Sequence, residues 1–230
     1  MLKKRSELSK IASKTSNKTS TVSYIFKSTL LFAVCFCYFK PSCKAQKMNF
    51  DQRMLMRLME SRNPGATRVM QGISDNTQLI SVLVPATVAA VGLIDNNRTT
   101  LQKSLYLAES ALASTFITYG LKYSVKRTRP YITNPALNAK GSGRDPSFPS
   151  GHTSVAFSTA TSLYLAYPKW YVAVPAFAYA ASVGYSRMYL GVHYPTDVLA
   201  GAVIGAGSAW LMYKANKWLF KKHSSTVPAF

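Results

Sequence analysis

The stretch VLAGAVIGAGSAWLMY, residues 198 to 213, contains no charged residue and is rich in Ala and Gly. Four earlier stretches have a similar composition with added Ser and Thr: residues 79 to 94, 105 to 121, 153 to 167 and 171 to 185. Small residues allow helices to approach one another closely, in a bilayer or inside a soluble bundle. The five stretches therefore predict an all-α protein built as a helical bundle.

The length of these stretches bears on whether they cross a membrane. Each has about 15 to 17 residues, just under the roughly 20 that a spanning helix needs. We interpret them as membrane-spanning helices, which gives five spans, or six if the apolar run near the N-terminus stays attached. A soluble periplasmic bundle is the alternative interpretation, because the mean hydropathy of the chain is only +0.02.

Basic residues strongly outnumber acidic ones, with 28 Lys and Arg against 8 Asp and Glu and a formal net charge of +20. Such an excess suits nucleic acid, an anionic membrane surface or an anionic substrate. Many of the basic residues precede the first apolar run or follow the last one: Lys3, Lys4, Arg5, Lys10, Lys14, Lys18 and Lys27 before it, and Lys214, Lys217, Lys221 and Lys222 after it. Basic groups that flank apolar segments are typical of membrane anchors, whereas nucleic-acid binding proteins spread them over one face with aromatic residues. We therefore expect a membrane partner and no nucleic acid.

Residues 1 to 45 have the layout of a secretory signal. The apolar run STLLFAVCFCYF, residues 28 to 39, follows the basic start, and the small residues of SCKAQ come next. This order predicts a signal peptide cleaved after Ala45, or an uncleaved anchor over residues 24 to 38. All three cysteines of the chain lie in this segment, so the remainder has no disulfide framework: Cys35, Cys37 and Cys43.

Residues 46 to 78 carry apolar side chains at helical spacing: Phe50, Met54, Leu55, Leu58 and Met59. The spacing predicts an amphipathic periplasmic helix, which lies on the membrane surface or packs against the core. The helical core then covers residues 79 to 213, and a basic cytoplasmic tail covers residues 214 to 230.

The distribution of charge between the stretches predicts their topology. If the N-terminus is cytoplasmic, residues 46 to 78, 122 to 152 and 186 to 197 lie outside. The inner connections then collect Arg98, Lys103, Lys169 and the tail lysines, with Asp95 as their one acid. This arrangement follows the positive-inside rule. The outer segments nevertheless contain basic clusters, which indicates a function at the outer face.

The first cluster is KYSVKRTRP, residues 122 to 130, with four cations in eight residues. Lys122 and Arg129 are two helical turns apart and share one face if the helix continues to Pro130. A cationic helix end can simply complement the helix dipole. Because nearby acids are few, we interpret the cluster as a site for an external anion.

The second motif is PSGH, residues 149 to 152, at the start of an apolar stretch. Ser150 is a favourable N-cap, so Gly151 and His152 open the helix. The free N–H groups of a helix start bind anions, and a glycine there lets an oxyanion approach the backbone. Plain helix capping is the alternative reading of this motif on its own.

The third motif is SRMYLGVHYPTD, residues 186 to 197. Pro195 suits the first turn of the last helix, which places His193 at the mouth of that helix and Asp197 within its first turn. Asp197 can accept from one ring nitrogen of His193 and leave the other basic, so the histidine is a candidate nucleophile. Arg187 adds a planar fork suited to phosphate oxygens. A capping aspartate beside an interfacial His and Arg is the alternative.

Taken together, K-x6-RP, PSGH and SR-x5-H-x3-D resemble the type 2 phosphatidic acid phosphatase superfamily, which includes membrane lipid phosphatases, bacterial acid phosphatases and vanadium haloperoxidases. The resemblance covers about residues 79 to 213 and implies the helical bundle of that superfamily. It also implies roles for eight residues. Lys122, Arg129 and Arg187 would bind phosphoryl oxygens with Ser150 and the Gly151 amide, while His193 attacks phosphorus, Asp197 orients it and His152 protonates the leaving oxygen.

These expectations define a metal-independent phosphatase without a cofactor. The chain has no HExxH motif, no paired-carboxylate cluster and no GxxxxGK[ST] loop. The expected substrate is a phosphomonoester or pyrophosphate of a lipid, such as phosphatidate, phosphatidylglycerol phosphate, undecaprenyl pyrophosphate or a lipid A phosphate, cleaved through a phosphohistidine at the periplasmic face of a bacterial inner membrane. The alternatives are a soluble periplasmic acid phosphatase, a vanadate haloperoxidase and a non-catalytic membrane bundle that binds anionic headgroups.

Overall fold

The structure, a computed structural model, describes residues 49 to 141, 143 and 145 to 223, with side chains up to residue 218. The predicted signal segment, residues 1 to 45, lies outside the described residues. Over the described range the chain is helical and contains no strand, which confirms the all-α prediction. The helices are α1 Phe50–Glu60, α2 Pro64–Asp75, α3 Thr77–Ile94, α4 Arg98–Val125, α5 Pro130–Thr133, α6 Gly151–Ala166, α7 Trp170–Tyr189 and α8 Pro195–His223, with a 3₁₀ turn at Pro135–Leu137.

Each of the five apolar stretches corresponds to one helix, and three of these helices, α4, α7 and α8, extend past their stretch at both ends. α4 has 28 residues and α8 has 29, so each is over 40 Å long at about 1.5 Å per residue. The extensions are polar: Asn97 caps α4 by accepting a hydrogen bond from the Thr100 amide at 3.2 Å. The predicted boundary between core and tail, at residue 213, falls inside α8.

Two described helices have the length and composition of membrane spans, namely Thr77–Ile94 and the Pro195–Trp218 part of α8. α4 carries several charges, and α6 has only 16 residues with many Ser and Thr. The prediction of five or six spans therefore stays a prediction. Large apolar side chains are widely exposed on the bundle surface, including Ile94 (83 %) and Phe116 (75 %). So many exposed large apolar side chains suit a membrane better than water.

Helix α6 is the centre of the bundle and packs against α3, α4, α7 and α8. Its contact with α8 is made by backbone and small side chains, because a Cβ at Gly201 would lie 2.6 Å from the Ser150 carbonyl oxygen. A Cβ at Gly205 would lie 2.8 Å from the Ser158 amide nitrogen. This close approach holds the starts of α6 and α8 together, and the Ser150 amide donates to the Asp197 carbonyl at 3.0 Å. The second and third motifs are thus joined directly.

Between residues 49 and 76 the predicted amphipathic segment forms two helices, α1 and α2, where the sequence predicted one. The break lies at Asn63 and Pro64: the Asn63 side chain accepts from the Ala66 amide at 2.7 Å, and Pro64 occupies the first turn of α2. The Asn63-Pro64 pair in the sequence indicates this break. On α1, Leu55 is fully buried against Leu137 and Tyr194, so this helix packs on the protein instead of lying free on a surface.

Candidate active site

A cavity of about 510 Å³ opens at the end of the bundle where the three motifs meet. Six of the eight predicted site residues line it: Lys122, Arg129, Gly151, His152, Arg187 and His193. The other two, Ser150 and Asp197, have no exposed surface and lie behind this lining. The structure therefore brings together residues that are up to 75 positions apart in the chain.

His193 lies in the loop between α7 and α8 and is 1 % exposed. Its Nδ1 is 2.8 Å from the Ser147 carbonyl oxygen, which can only accept, so Nδ1 carries the proton and Nε2 carries the lone pair. Nε2 lies 3.4 Å from an Arg129 nitrogen. The basic nitrogen of this ring therefore lies beside a phosphate-binding cation, as a nucleophile would.

The ring partner of His193 differs from the predicted one. Asp197 Oδ2 is 3.6 Å from Nδ1, beyond hydrogen-bond distance. The Asp197 oxygens are bound elsewhere: Oδ2 accepts from the Tyr194 amide at 2.9 Å and Oδ1 accepts from Arg127 at 2.6 Å. In this structure the Asp197 carboxylate thus lies just outside hydrogen-bond distance of the imidazole, and its predicted role in orienting His193 stays a prediction. The carboxylate acts on the ring by charge, while Ser147 fixes the tautomer.

The protonation state of His193 suits attack on phosphorus. Burial lowers its pKa to about 4; Asp197 opposes this shift, and the charges of Arg187 and Arg129 add to it. A neutral imidazole therefore predominates at neutral pH, with its lone pair available on Nε2.

Lys122 and Arg129 converge on the carboxylate of Asp145, which is not among the predicted site residues. Asp145 Oδ2 lies 2.7 Å from Lys122 Nζ, and Oδ1 accepts from an Arg129 terminal nitrogen at 2.7 Å. The Asp145 backbone oxygen also accepts from Arg129 Nε at 2.8 Å. Burial raises the pKa of Asp145, but Lys122 and Arg129 outweigh burial and hold it at about 2. The cations are thus paired with an internal anion.

Lys122 and Arg129 of the first motif come together in a different way from the predicted one. α4 ends at Val125, because Lys126 adopts a left-handed conformation with φ of 52°, and the helix does not continue to Pro130. Arg129 instead stands before the one-turn helix α5. Lys122 and Arg129 therefore do not share a helix face, and they meet because the chain turns back toward the cavity.

Arg187 comes from the last turn of α7 and donates to the hydroxyl of Ser74 at the end of α2. Its Nε is buried and has no hydrogen-bond partner among the described residues. A buried guanidinium nitrogen without a partner is costly, and Arg187 also lines the cavity, so this N–H is a candidate donor to an anion. Ser74 was not identified from the sequence, since nothing local connects it to a residue 113 positions away.

The start of α6 supplies backbone donors. Ser150 occupies the N-cap position as predicted, but its side chain makes no capping hydrogen bond and accepts instead from the Thr153 hydroxyl at 2.9 Å. The first amides of the helix are thus left without a side-chain cap, at the positive end of the helix dipole. A Cβ at Gly151 would lie 3.9 Å from Lys122 Cε, so the glycine leaves room for a ligand between the helix and the lysine.

The sequence pattern of the PAP2 superfamily matches residues 103 to 221, just over half of the chain. The protein belongs to the PAP2 superfamily. This match confirms the resemblance drawn from the three motifs, all of which it contains. The PAP2 segment begins inside α4 and ends near the C-terminus of α8, so α1, α2 and α3 lie before it.

The chain is similar to several lipid phosphatases over part of their length. It is 37 % identical over 91 residues to an undecaprenyl-diphosphatase of Sulfolobus acidocaldarius, which is 39 % of this chain and 44 % of that protein. It is 39 % identical over 81 residues to a lipid A 4'-phosphatase of Bacteroides thetaiotaomicron, which is 35 % of this chain and 36 % of that protein. The alignments thus span less than half of either relative.

Solved PAP2 structures share the fold over a larger part of the chain. The structure of LpxE from Aquifex aeolicus superposes with a TM-score of 0.63 and 26 % identity, over 75 % of this chain and 99 % of that one. A transmembrane phosphatidylglycerolphosphate phosphatase from Bacillus subtilis gives a TM-score of 0.62 at 23 % identity, over 77 % of this chain and 87 % of that one. The second likeness establishes the fold alone.

The cavity continues from the PAP2 motifs into an apolar half between α3 and α4. This half is lined by Gln78, Val82, Ala111, Leu112, Thr115 and Tyr119. Ala111 is 11 residues before Lys122 on the same helix, a distance of about 16 Å along the axis. The cavity is therefore cationic at one end and largely apolar at the other.

Proposed function

We propose that the protein is a phosphatase that hydrolyses a phosphomonoester or diphosphate of a lipid, without a metal ion, through a phosphohistidine at His193. The observation that carries the proposal is the cavity itself, whose apolar half between α3 and α4 continues from the cations Lys122, Arg129 and Arg187. A headgroup phosphate and a hydrocarbon chain would bind in one continuous space. The similarity to an undecaprenyl-diphosphatase and to a lipid A 4'-phosphatase supports this substrate class.

In the first step, the phosphoryl oxygens bind Lys122, Arg129, the Arg187 Nε–H and the first amides of α6. His193 Nε2 attacks phosphorus, and the bond from phosphorus to the ester oxygen breaks as His152 donates a proton to that oxygen. Burial and the charge of Arg187 lower the pKa of His152 to about 3, so this ring takes up its proton when the negative charge of the phosphate binds beside it. The cations stabilise the charge on the three equatorial oxygens. The imidazole gains positive charge as the phosphorus–nitrogen bond forms, and the Asp197 carboxylate 3.6 Å from Nδ1 stabilises it.

In the second step, His152 accepts a proton from a water molecule whose oxygen attacks the phosphohistidine. The phosphorus–nitrogen bond breaks, inorganic phosphate leaves, and the electron pair returns to His193 Nε2. In both steps the Ser147 carbonyl oxygen, 2.8 Å from Nδ1, keeps the proton on that nitrogen. The Asp145 carboxylate, which pairs with Lys122 and Arg129, gives way to the substrate phosphate before the first step.

The decisive assay measures phosphate release by detergent-purified protein in excess EDTA, from short-chain phosphatidate and from a soluble aryl phosphate. We expect faster release from the lipid, unchanged by EDTA, and a loss of at least about a thousandfold in His193→Ala. His223→Ala is the matched control, because it removes the one histidine outside the three motifs.

The other outcomes of this assay identify the competing functions. Equal or faster turnover of the aryl phosphate, still dependent on His193, assigns a broad acid phosphatase. No release that depends on His193 leaves a vanadate haloperoxidase or an anion-binding bundle, and bromide oxidation in the presence of vanadate and peroxide separates those two.

We also propose that the cavity faces the periplasm, on the basis of the basic residues expected on the opposite side. The orientation is tested in cells with single cysteines placed in a chain whose native cysteines are replaced by Ser. Lys140 and Lys169 are both exposed and lie in connections predicted on opposite sides. A membrane-impermeant maleimide should label Lys140→Cys and leave Lys169→Cys unlabelled, and the reverse pattern would place the site in the cytoplasm.

A further inference from the structure

The remaining arginine of the first motif, Arg127, does not line the cavity. Its guanidinium bridges two carboxylates from different helices: one terminal nitrogen donates to Asp197 Oδ1 at 2.6 Å, and the other donates to Asp51 Oδ2 at 2.7 Å. The group also lies over the ring of Tyr194, 4.0 Å from its centroid. Arg127 is therefore held on three sides.

Asp51 reaches this point from α1, outside the segment that matches the PAP2 superfamily. It is 7 % exposed and binds the start of α8 as well as Arg127. Its carboxylate accepts from the Thr196 hydroxyl at 2.6 Å and from the Thr196 amide at 3.3 Å. Since a carboxylate at a helix start is stabilised by the helix dipole, Asp51 supports the α8 turn that carries Asp197.

Asp197 needs such support because it is fully buried beside a neutral imidazole. A buried carboxylate without a counter-charge is strongly destabilised. Arg127 is that counter-charge. Burial lowers the pKa of Arg127, but the Asp197 and Asp51 charges outweigh burial and raise it above its ordinary value, so the guanidinium stays ionised.

We infer that Asp51 is a positioning residue for the hydrolysis, which acts through Arg127 and Thr196 to hold the Asp197 carboxylate ionised and directed at His193. This inference rests on the proposed phosphohistidine mechanism. Asp197 acts when His193 becomes positively charged, so losing Asp51 raises the barrier of that step. The phosphate-binding cations are untouched, so substrate affinity stays the same.

The test uses the full-length protein in detergent. Wild type and His193→Ala are assayed first, because histidine-dependent phosphate release establishes the function on which the inference rests. Asp51→Asn, which keeps the shape and removes the charge, should then lower kcat by about 10- to 100-fold, the loss found when residues that support metal ligands are replaced. KM should stay within about twofold of wild type. Asp51→Glu should recover part of this loss.

Leu55→Ala separates positioning from anchoring of α1. Leu55 is the fully buried apolar residue of the same helix and has no polar side chain. If Asp51 merely anchors the helix, Leu55→Ala will lower kcat as much as Asp51→Asn does. Positioning predicts that Leu55→Ala lowers the melting temperature and leaves kcat within about threefold of wild type.

A double-mutant cycle with Asp197→Asn identifies the route of the effect. If Asp51 acts through Asp197, then Asp51→Asn has no further effect on kcat in the Asp197→Asn background, since residues in one network are not additive. Multiplicative losses overturn the inference.

A spectroscopic readout keeps the inference testable if no substrate is hydrolysed. The ring nitrogen signals of His193, assigned with His193→Ala in histidine-labelled protein, should shift in Asp51→Asn and stay in place in Leu55→Ala. An unshifted His193 signal in Asp51→Asn overturns the positioning role whatever the activity.

Discussion

Replacing Asp145 by Asn tests whether the internal carboxylate competes with the substrate. Asp145 occupies both Lys122 and Arg129 at 2.7 Å, the distances at which two phosphoryl oxygens would bind. Its pKa of about 2 keeps it ionised at every practical assay pH. Any phosphate that enters must therefore break two charge-assisted contacts before it forms its own.

The size of the effect follows from the exposure of the carboxylate. The Asp145 side chain is 32 % exposed, so each ion pair is screened, and partly exposed pairs contribute about 0.2 to 1 kcal/mol. Two such pairs give about 0.4 to 2 kcal/mol. Because 1.4 kcal/mol corresponds to a factor of ten in binding, Asp145→Asn should tighten phosphate binding by about 2- to 30-fold.

The assay is competitive inhibition of the proposed phosphatase by inorganic phosphate at fixed ionic strength, with an aryl phosphate as substrate. We expect the inhibition constant to fall by that factor while kcat changes less than about threefold. Asp95→Asn, which removes an exposed acid from the end of α3, controls for net charge. An unchanged or higher inhibition constant, or a large loss of kcat, would show that Asp145 holds the two cations in place and does not compete.

Three further predictions concern the histidines and the helix contact. His152→Ala should reduce kcat least for substrates with good leaving groups, such as a nitrophenyl phosphate, since they need no protonation of the leaving oxygen. The His193 ring signals should titrate near pH 4, where burial places the pKa, so neutral imidazole is lost only as pH falls through that value; a midpoint near 6.5 would contradict the buried, neutral ring. Gly205→Ala places a Cβ against the α6 backbone, whereas the Cβ of Gly207→Ala meets nothing within 4 Å. In thermal unfolding in detergent, Gly205→Ala should therefore destabilise the protein by about 1 to 3 kcal/mol, and Gly207→Ala should not.

The fold was predictable from composition because each apolar stretch became one helix. Patterns of apolar residues mark where a helix is buried, however, and do not mark where it ends. The ends of α4 and α8 lie in polar sequence, beyond the apolar residues, and were missed for that reason. The break at Asn63 and Pro64 was visible in the sequence as a capping residue followed by proline.

The sequence motifs indicated the predicted site residues but not the residues that surround them. Motif spacing identified His193 and Asp197, but the 3.6 Å gap between them depends on Ser147 and Arg127, whose contacts form only in the folded chain. Asp145 carries a weak local signal, an acid five residues before Ser150 in a chain with few acids. Asp51 carries none, because its partners are 76 and 145 positions away.

The placement of the few acids explains how a strongly basic chain builds a site for a dianion. Asp51, Asp145 and Asp197 are three of its eight acids, and all three contact cations of the first motif. With Asp145 in place, four cations exceed these carboxylates by one charge: Lys122, Arg129 and Arg187 along the cavity, and Arg127 behind it. Displacement of Asp145 raises the excess to two, which matches the charge of about −2 on a fully ionised phosphomonoester. Exchange of the Asp145 carboxylate for a phosphate dianion therefore requires no new cation. The affinity for phosphate should fall as the phosphate becomes monoanionic below about pH 6.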